Sequence, residues 1–259
     1  MVWPRVVAAG AVLGVLLTGC NSAAKPSPVA AGSPSPIATT PSPPASTIVP
    51  TASPARATPH RTRTVQHTVA APFRSSVSTV TAADLGKSWH SGCPVAPSGL
   101  RAVSVTYWGF DHSAHTGTLV VNAAVVSAVT AAFRSIYAAR FPIRRMQPIA
   151  AYGGDDNASM AADNTSAFNC RYAVADGPKQ WSMHAYGEAV DLNTLENPYT
   201  LDGRVYPPAG KPYTDRSRVR PGMVVSGSAP VRAFTAVGWG WGGRWSSSPD
   251  YQHFSSNGK

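Results

Sequence analysis

Between Asn21 and Pro72 the chain runs through Pro, Ser, Ala and Thr with few large apolar side chains, as in "AKPSPVAAGSPSPIATTPSPPAS". Such a segment buries too little apolar surface to offset the backbone entropy lost on folding. Repeated proline stiffens it toward polyproline II, so residues 20–72 are expected to form an extended, disordered spacer. Whatever folds must do so within residues 73–259, a length that suits one domain with its own core. The basic run His60-Arg61-Thr62-Arg63 reads as solvated spacer, and His60 and His67 are set aside as ligands.

The residues ahead of the spacer set the expected compartment. Arg5 precedes an apolar run, Val6 to Leu17, that is too short to span a bilayer permanently. It ends in Leu17-Thr18-Gly19-Cys20, which resembles the lipobox of bacterial lipoprotein precursors. That resemblance implies a signal peptide over residues 1–19 and a lipidated Cys20. Acyl chains, at about 0.8 kcal/mol per buried CH₂, would hold the protein to the outer face of the cell membrane, facing the wall. Cys93 and Cys170 are the cysteines left, and in an exported chain such a pair is most simply a disulfide. The alternative is a nucleophilic thiol, which needs a histidine partner. The formal charge of +10 suits an anionic surface, membrane or wall. Nucleic acid is rejected, because the basic residues form no interleaved stripe and the expected compartment is wrong. A monomer is expected.

Ordered sequence is predicted to begin near Val80, with Asp84 to Cys93 as a small cap. "RAVSVTYWGFD", residues 101–111, alternates β-branched and aromatic residues and predicts a strand. Leu119 to Val121 predicts another, with His112 and His115 in a surface hairpin between them. Val125, Val129, Phe133, Ile136 and Tyr137 recur at helical spacing, and Pro142 stops that helix. Strands are expected over "IRRMQPI", over Ala189 to Leu192 and over Tyr251 to Phe254, and a short helix over Ala229 to Ala236. The segment "TLENPYTLDGRVYPPAGKPYTDRSRVRPG" reads as a long excursion rich in turns. The fold class is α+β, helices with a small antiparallel sheet, in one domain.

An exported hydrolase without a free thiol can use a serine nucleophile or a metal-activated water. Neither G-x-S-x-G nor the S-x-x-K, S-D-N, K-T-G set occurs. His184, Asp191 and His253 are suitable metal ligands, and three protein ligands leave a fourth position open, as catalytic zinc requires. Asp191 lies between Val190 and Leu192, where an uncompensated carboxylate would be costly. Asp250, three residues before His253, is left as the acid/base. Glu188 neighbours the motif and is expected to point away. Trp239, Trp241 and Trp245 either wall a groove or brace glycine-rich backbone, with bracing preferred for Trp239.

The pattern Ser182-x-His184-x-x-Gly187-x-Ala189-x-Asp191, followed by Asp250-x-x-His253, resembles the zinc D-alanyl-D-alanine carboxypeptidase family, peptidase M15 or VanY-like. "NTSAFNCR", Asn164 to Arg171, and "GWGWGG", Gly238 to Gly243, extend the likeness to one subgroup. The resemblance implies the zinc D,D-peptidase fold shared with hedgehog proteins, and Zn²⁺ on His184, Asp191 and His253. It makes Asp250 the catalytic acid/base and a peptidoglycan stem peptide the substrate. Many members carry Glu where this chain has Asp250. An arginine upstream is expected to hold the substrate carbonyl or carboxylate: Arg171, with Arg144 and Arg145 as competitors. Ser182 and Asn164 either bind substrate or cap local turns. An endopeptidase cutting L-Ala–D-Glu or a cross-link, and a non-catalytic wall-binding lipoprotein, remain as alternatives.

Overall fold

The computed structural model describes residues 71–174 and 178–259. The expected leader, Cys20 and the spacer as far as residue 70 lie outside them. A long hairpin of β2 (Leu100–Gly109) and β3 (Ala114–Asn122) forms the middle of the larger sheet. Alternation in β2 turns Val103 and Val105 into the core, and Leu119 and Val121 of β3 join them. His112 takes a positive φ at the hairpin turn, and His115 beyond it faces Asp111 at 2.9 Å. Along the other edge of β2, β1 (Ser75–Thr79) pairs antiparallel with Arg101 to Val105. Further on, β4 (Pro142–Ile143) pairs parallel with Trp108 and Gly109. The larger sheet is therefore mixed where an antiparallel one was expected.

Helix α1 (Ala82–Leu85) is closed at its start by a capping box in which Thr81 and Asp84 satisfy each other's backbone N–H. It belongs to the expected cap, which the Cys93–Cys170 disulfide ties to the rest of the domain across 77 residues. Helix α2 (Val126–Ala138) buries Val129, Ala132, Phe133 and Ile136, the face its periodicity predicts. It packs on β2 and beside α4 (Ala229–Ala236), where Phe133 meets Phe234 edge-on at 6.0 Å.

Phe234 in turn stacks on Phe254 at 4.3 Å. Phe254 belongs to β9 (His253–Ser255), the central strand of a smaller sheet. Its neighbours are β5 (Ala189–Asp191) and β8 (Gly240–Trp241), both antiparallel. One apolar core thus joins the two sheets and their helices. Trp239 is buried against Phe234 at 5.5 Å, so it braces the core. Among the described residues no helix is long and apolar enough to cross a membrane.

Three local expectations change. The first strand starts at Ser75, ahead of Val80, and all five of its residues are exposed, so no burial pattern marks it. Of "IRRMQPI", Ile143 alone lies in a strand; after it the chain turns, with the Arg144 N–H donating to Asn193 Oδ1. The long excursion contains a hairpin, β6 (Tyr199–Leu201) with β7 (Arg204–Tyr206), whose turn uses Asp202 and Gly203 at positive φ.

Away from the smaller sheet, Glu196 is buried beside Asp163, with Arg144 at 3.9 Å and 3.4 Å from the two carboxylates. Burial, then the charge and hydrogen bond of Asp163, push Glu196 up to about 8 against the pull of Arg144. The folded protein thus keeps a proton that the unfolded chain releases near 4.5. This contribution to stability is complete below the unfolded value and is lost as pH rises through about 8. In Glu196→Gln the melting temperature is expected to fall less than the parent's between about pH 5 and pH 9, read by calorimetry.

Candidate active site

Ser182 opens a short 3₁₀ turn, Met183 to Tyr186, and its side chain accepts from the His184 N–H. The turn ends at Gly187, whose φ of +68° is left-handed. A Cβ there would come within 2.6 Å of the Asn122 backbone nitrogen, so glycine is required both by conformation and by space. This bend returns the chain into β5 and brings His184 beside Asp191. Antiparallel pairing then sets Asp191 directly against His253 of β9.

The three side chains are buried and converge. His184 Nε2 is 3.1 Å from Asp191 Oδ2, and His253 Nδ1 is 3.2 Å from Asp191 Oδ1. The two imidazole nitrogens lie 3.2 Å apart. Behind each ring stands a backbone oxygen: Ala167 O at 2.6 Å from His184 Nδ1, and Lys259 O at 3.1 Å from His253 Nε2. A carbonyl or carboxylate oxygen only accepts, so each outer nitrogen carries the proton and each inner nitrogen presents a lone pair. Two lone pairs and a carboxylate that face one another across such distances repel unless a cation lies among them. The donor set therefore fits a metal ion, with His, Asp and His ligand atoms all within 4.8 Å of one another. Burial opposes ionisation of Asp191, and when the two rings are protonated in the metal-free protein their charges and hydrogen bonds hold its carboxyl well below the usual range.

Asp250 lines the same cavity, which has a volume of about 540 Å³. Its backbone N–H donates to Gly242 O at 3.1 Å, and a backbone bridge joins it to Tyr199 of β6. A Cβ on Gly242 would meet Asp250 O at 2.8 Å, which explains one glycine of "GWGWGG". Asp250 Oδ1 is buried with no hydrogen-bond partner among the described residues. Burial first, then the negative charge of Asp191, push its carboxyl up to about 7; His253 and Arg171 pull the other way. Glu188 accepts from Ser256 Oγ at 2.6 Å and does not line the cavity, in keeping with the sequence reading.

Of the three arginines considered, Arg171 alone lines the cavity. Arg144 is committed to Asp163, Glu196 and the Phe110 ring, and Arg145 is not part of the cavity wall. Arg171 Nε lies 2.9 Å from Asp156 Oδ2 in an ion pair, and its Nη1 donates to Tyr172 O at 3.5 Å. Asp156 opens α3 (Asp156–Ala161) behind the N-cap Asp155, and its Oδ1 accepts from Asn169 Nδ2. The sequence reading missed Asp156, which lay in what looked like a loop; the doubled acid after Gly153-Gly154 was the available signal. Asn164 does not reach the cavity. It is fully buried, and its amide bonds the backbone of Gln147 and the Ser159 hydroxyl, so it cannot meet a substrate. Ser182 does line the cavity while capping its turn.

"NTSAFNCR" acts chiefly as backbone. Ser166 exchanges two hydrogen bonds with Asp191, Ala167 O orients His184, and the Asn169 N–H donates to His184 O. Trp181, Tyr199, Tyr206 and Trp245 complete the cavity wall. If Asp156 aims Arg171, Asp156→Asn should lower kcat/KM on a cell-wall peptide by up to about 100-fold with metal content unchanged. Steady-state kinetics beside elemental analysis would read both.

Residues 176–256 match a peptidase M15 family model described as D-alanyl-D-alanine carboxypeptidase. Neither curated proteins nor solved structures give a match to this chain. The matched stretch holds His184, Asp191, Asp250 and His253, the residues on which the likeness was first read. Over that stretch the chain is similar to the M15 family, whose members are metal-dependent peptidases.

Proposed function

We propose that the protein is a zinc peptidase of the cell wall that removes the terminal D-alanine from D-Ala-D-Ala-ended peptidoglycan stem peptides. The observation that carries this reading is the pair of inward lone pairs, fixed by Ala167 O and Lys259 O, around Asp191 and beside Asp250, whose Oδ1 has no hydrogen-bond partner among the described residues. Zinc held by His184, Asp191 and His253 would supply Lewis acidity for the substrate carbonyl and lower the pKa of water. Asp250 takes the proton of the attacking water and gives it to the leaving amine. Arg171 faces the negative charge that develops on the carbonyl oxygen, aimed by Asp156. Ser182 holds the His184 turn, and the aromatic wall limits access of bulk water to the reacting groups.

One observation favours an internal cut as a second reading. Arg171 is already paired with Asp156, so its charge is partly spent before a terminal carboxylate arrives. An endopeptidase has no such carboxylate to bind. Mass spectrometry of products from defined muropeptides, with and without chelator, separates the readings. Loss of a single terminal D-alanine supports the first, and release of an internal fragment the second. Chelator-insensitive cleavage would overturn both. In this reading a lipid on Cys20 holds the enzyme to the outer face of the membrane and the spacer lets it reach the wall; it works as a monomer and has no nucleic-acid partner.

A further inference from the structure

We infer that the turn formed by residues 256–259 is a positioning element for the metal, acting through the backbone oxygen of Lys259. The inference rests on the reading that His184, Asp191 and His253 hold a divalent cation. The two rings of the site are oriented from different places. Ala167 O, behind His184, belongs to a segment hydrogen-bonded into both sheets through Ser166 and Phe168. Lys259 O, behind His253, belongs to a short turn beyond β9.

That turn is held by specific contacts. Ser255 Oγ donates to Lys259 O at 2.8 Å, and Trp245 Nε1 donates to Gly258 O at 3.0 Å. The Lys259 N–H donates to Asn257 Oδ1 at 2.9 Å, and Gly258 takes a left-handed φ of +75°. A Cβ on Gly240 would come within 2.5 Å of Gly258 Cα, so glycine in β8 makes room for the turn. Asn257 and Lys259 also line the cavity, so the same turn forms part of its wall.

The Lys259 oxygen decides between two tautomers of His253. With the proton on Nε2, bonded to Lys259 O, the Nδ1 lone pair faces the metal position. With the proton on Nδ1, the ring would instead donate to Asp191 Oδ1, 3.2 Å away, and offer the metal nothing. An ionised carboxylate is the stronger acceptor, so without Lys259 O the second tautomer gains in the metal-free protein. The turn thus prepares the site before an ion arrives.

The test compares the full chain with a variant ending at Asn257, with Lys259→Ala and with Ser255→Ala. Zinc affinity is measured by chelator competition, and the His253 ring nitrogens by long-range ¹H–¹⁵N spectra of metal-free protein. The truncated variant should bind zinc about 10- to 100-fold more weakly, and its Nδ1 should move from pyridine-like toward pyrrole-like. Lys259→Ala keeps the backbone oxygen and should bind as the parent does. Ser255→Ala should fall between, and it carries the test if truncation unfolds the domain. Parent-like affinity and tautomer in both the truncated and Ser255→Ala proteins would overturn the inference, as would a full loss from Lys259→Ala alone. A full chain that binds no zinc overturns the metal reading itself, a result the tautomer spectra keep distinct.

Discussion

Asp250→Asn is expected to leave the protein folded and zinc-loaded while lowering turnover of a cell-wall peptide by about 10²- to 10⁴-fold. The amide keeps the shape of the side chain in its place between Gly242 and Tyr199 but cannot accept the proton. Elemental analysis beside kcat separates this from loss of metal, and an Asp250→Asn enzyme with parental kcat would sink the assigned role. The pH dependence has a definite sign. A base works ionised, so the rate should rise with pH as Asp250 loses its proton. In the metal-free protein that carboxyl is pushed up to about 7, and a bound dication would draw it lower. For stability the sign reverses. A raised carboxyl pKa favours folding below the unfolded value of 3.8, and the benefit is lost as pH rises through about 7. Metal-free Asp250→Asn should therefore melt higher than metal-free parent at about pH 8, a gain in stability where function is lost.

Asp191→Asn should abolish zinc binding and activity together. The carboxylate is the only anion among the three ligands, and it meets both imidazoles within 3.2 Å. An amide in its place removes the charge that offsets the dication, and its NH₂ donates into a site built to accept. Chelator competition should show no competitive binding by the variant, and added zinc should not restore hydrolysis. Zinc-loaded, active Asp191→Asn protein would mean that the metal is held elsewhere. Asp250→Asn and Asp191→Asn thus differ in metal content while sharing an inactive phenotype.

The parts of the site that were legible in the sequence depend on side-chain type. His184 and Asp191 interrupt a largely apolar run, which demanded a reason, and Asp250 three residues before His253 completed the pattern. Helix α2 was legible because its apolar face repeats, and the disulfide because two cysteines remained. What stayed hidden works through the backbone. Ala167 O and Lys259 O orient the two imidazoles, yet any residue supplies a backbone oxygen, so neither position announces itself. β1 is held by its ladder to β2 and buries none of its residues, so alternation could not reveal it. Asn164 erred the other way. A polar residue near a motif suggested substrate, whereas its amide satisfies buried backbone and a buried serine.

The bond between Cys93 and Cys170 closes a loop of 77 residues, which on chain-entropy grounds contributes about 4 kcal/mol to stability. Its second partner is the residue immediately before Arg171, the arginine of the cavity wall. Oxidation therefore does more than hold the fold against heat. It fastens the arginine's own stretch of backbone to the α1 cap, so a chain that has not yet formed this bond lacks a covalent restraint on one wall of its catalytic cavity. If the chain is the exported wall peptidase proposed above, its maturation is in this sense a redox event, completed where thiols are oxidised.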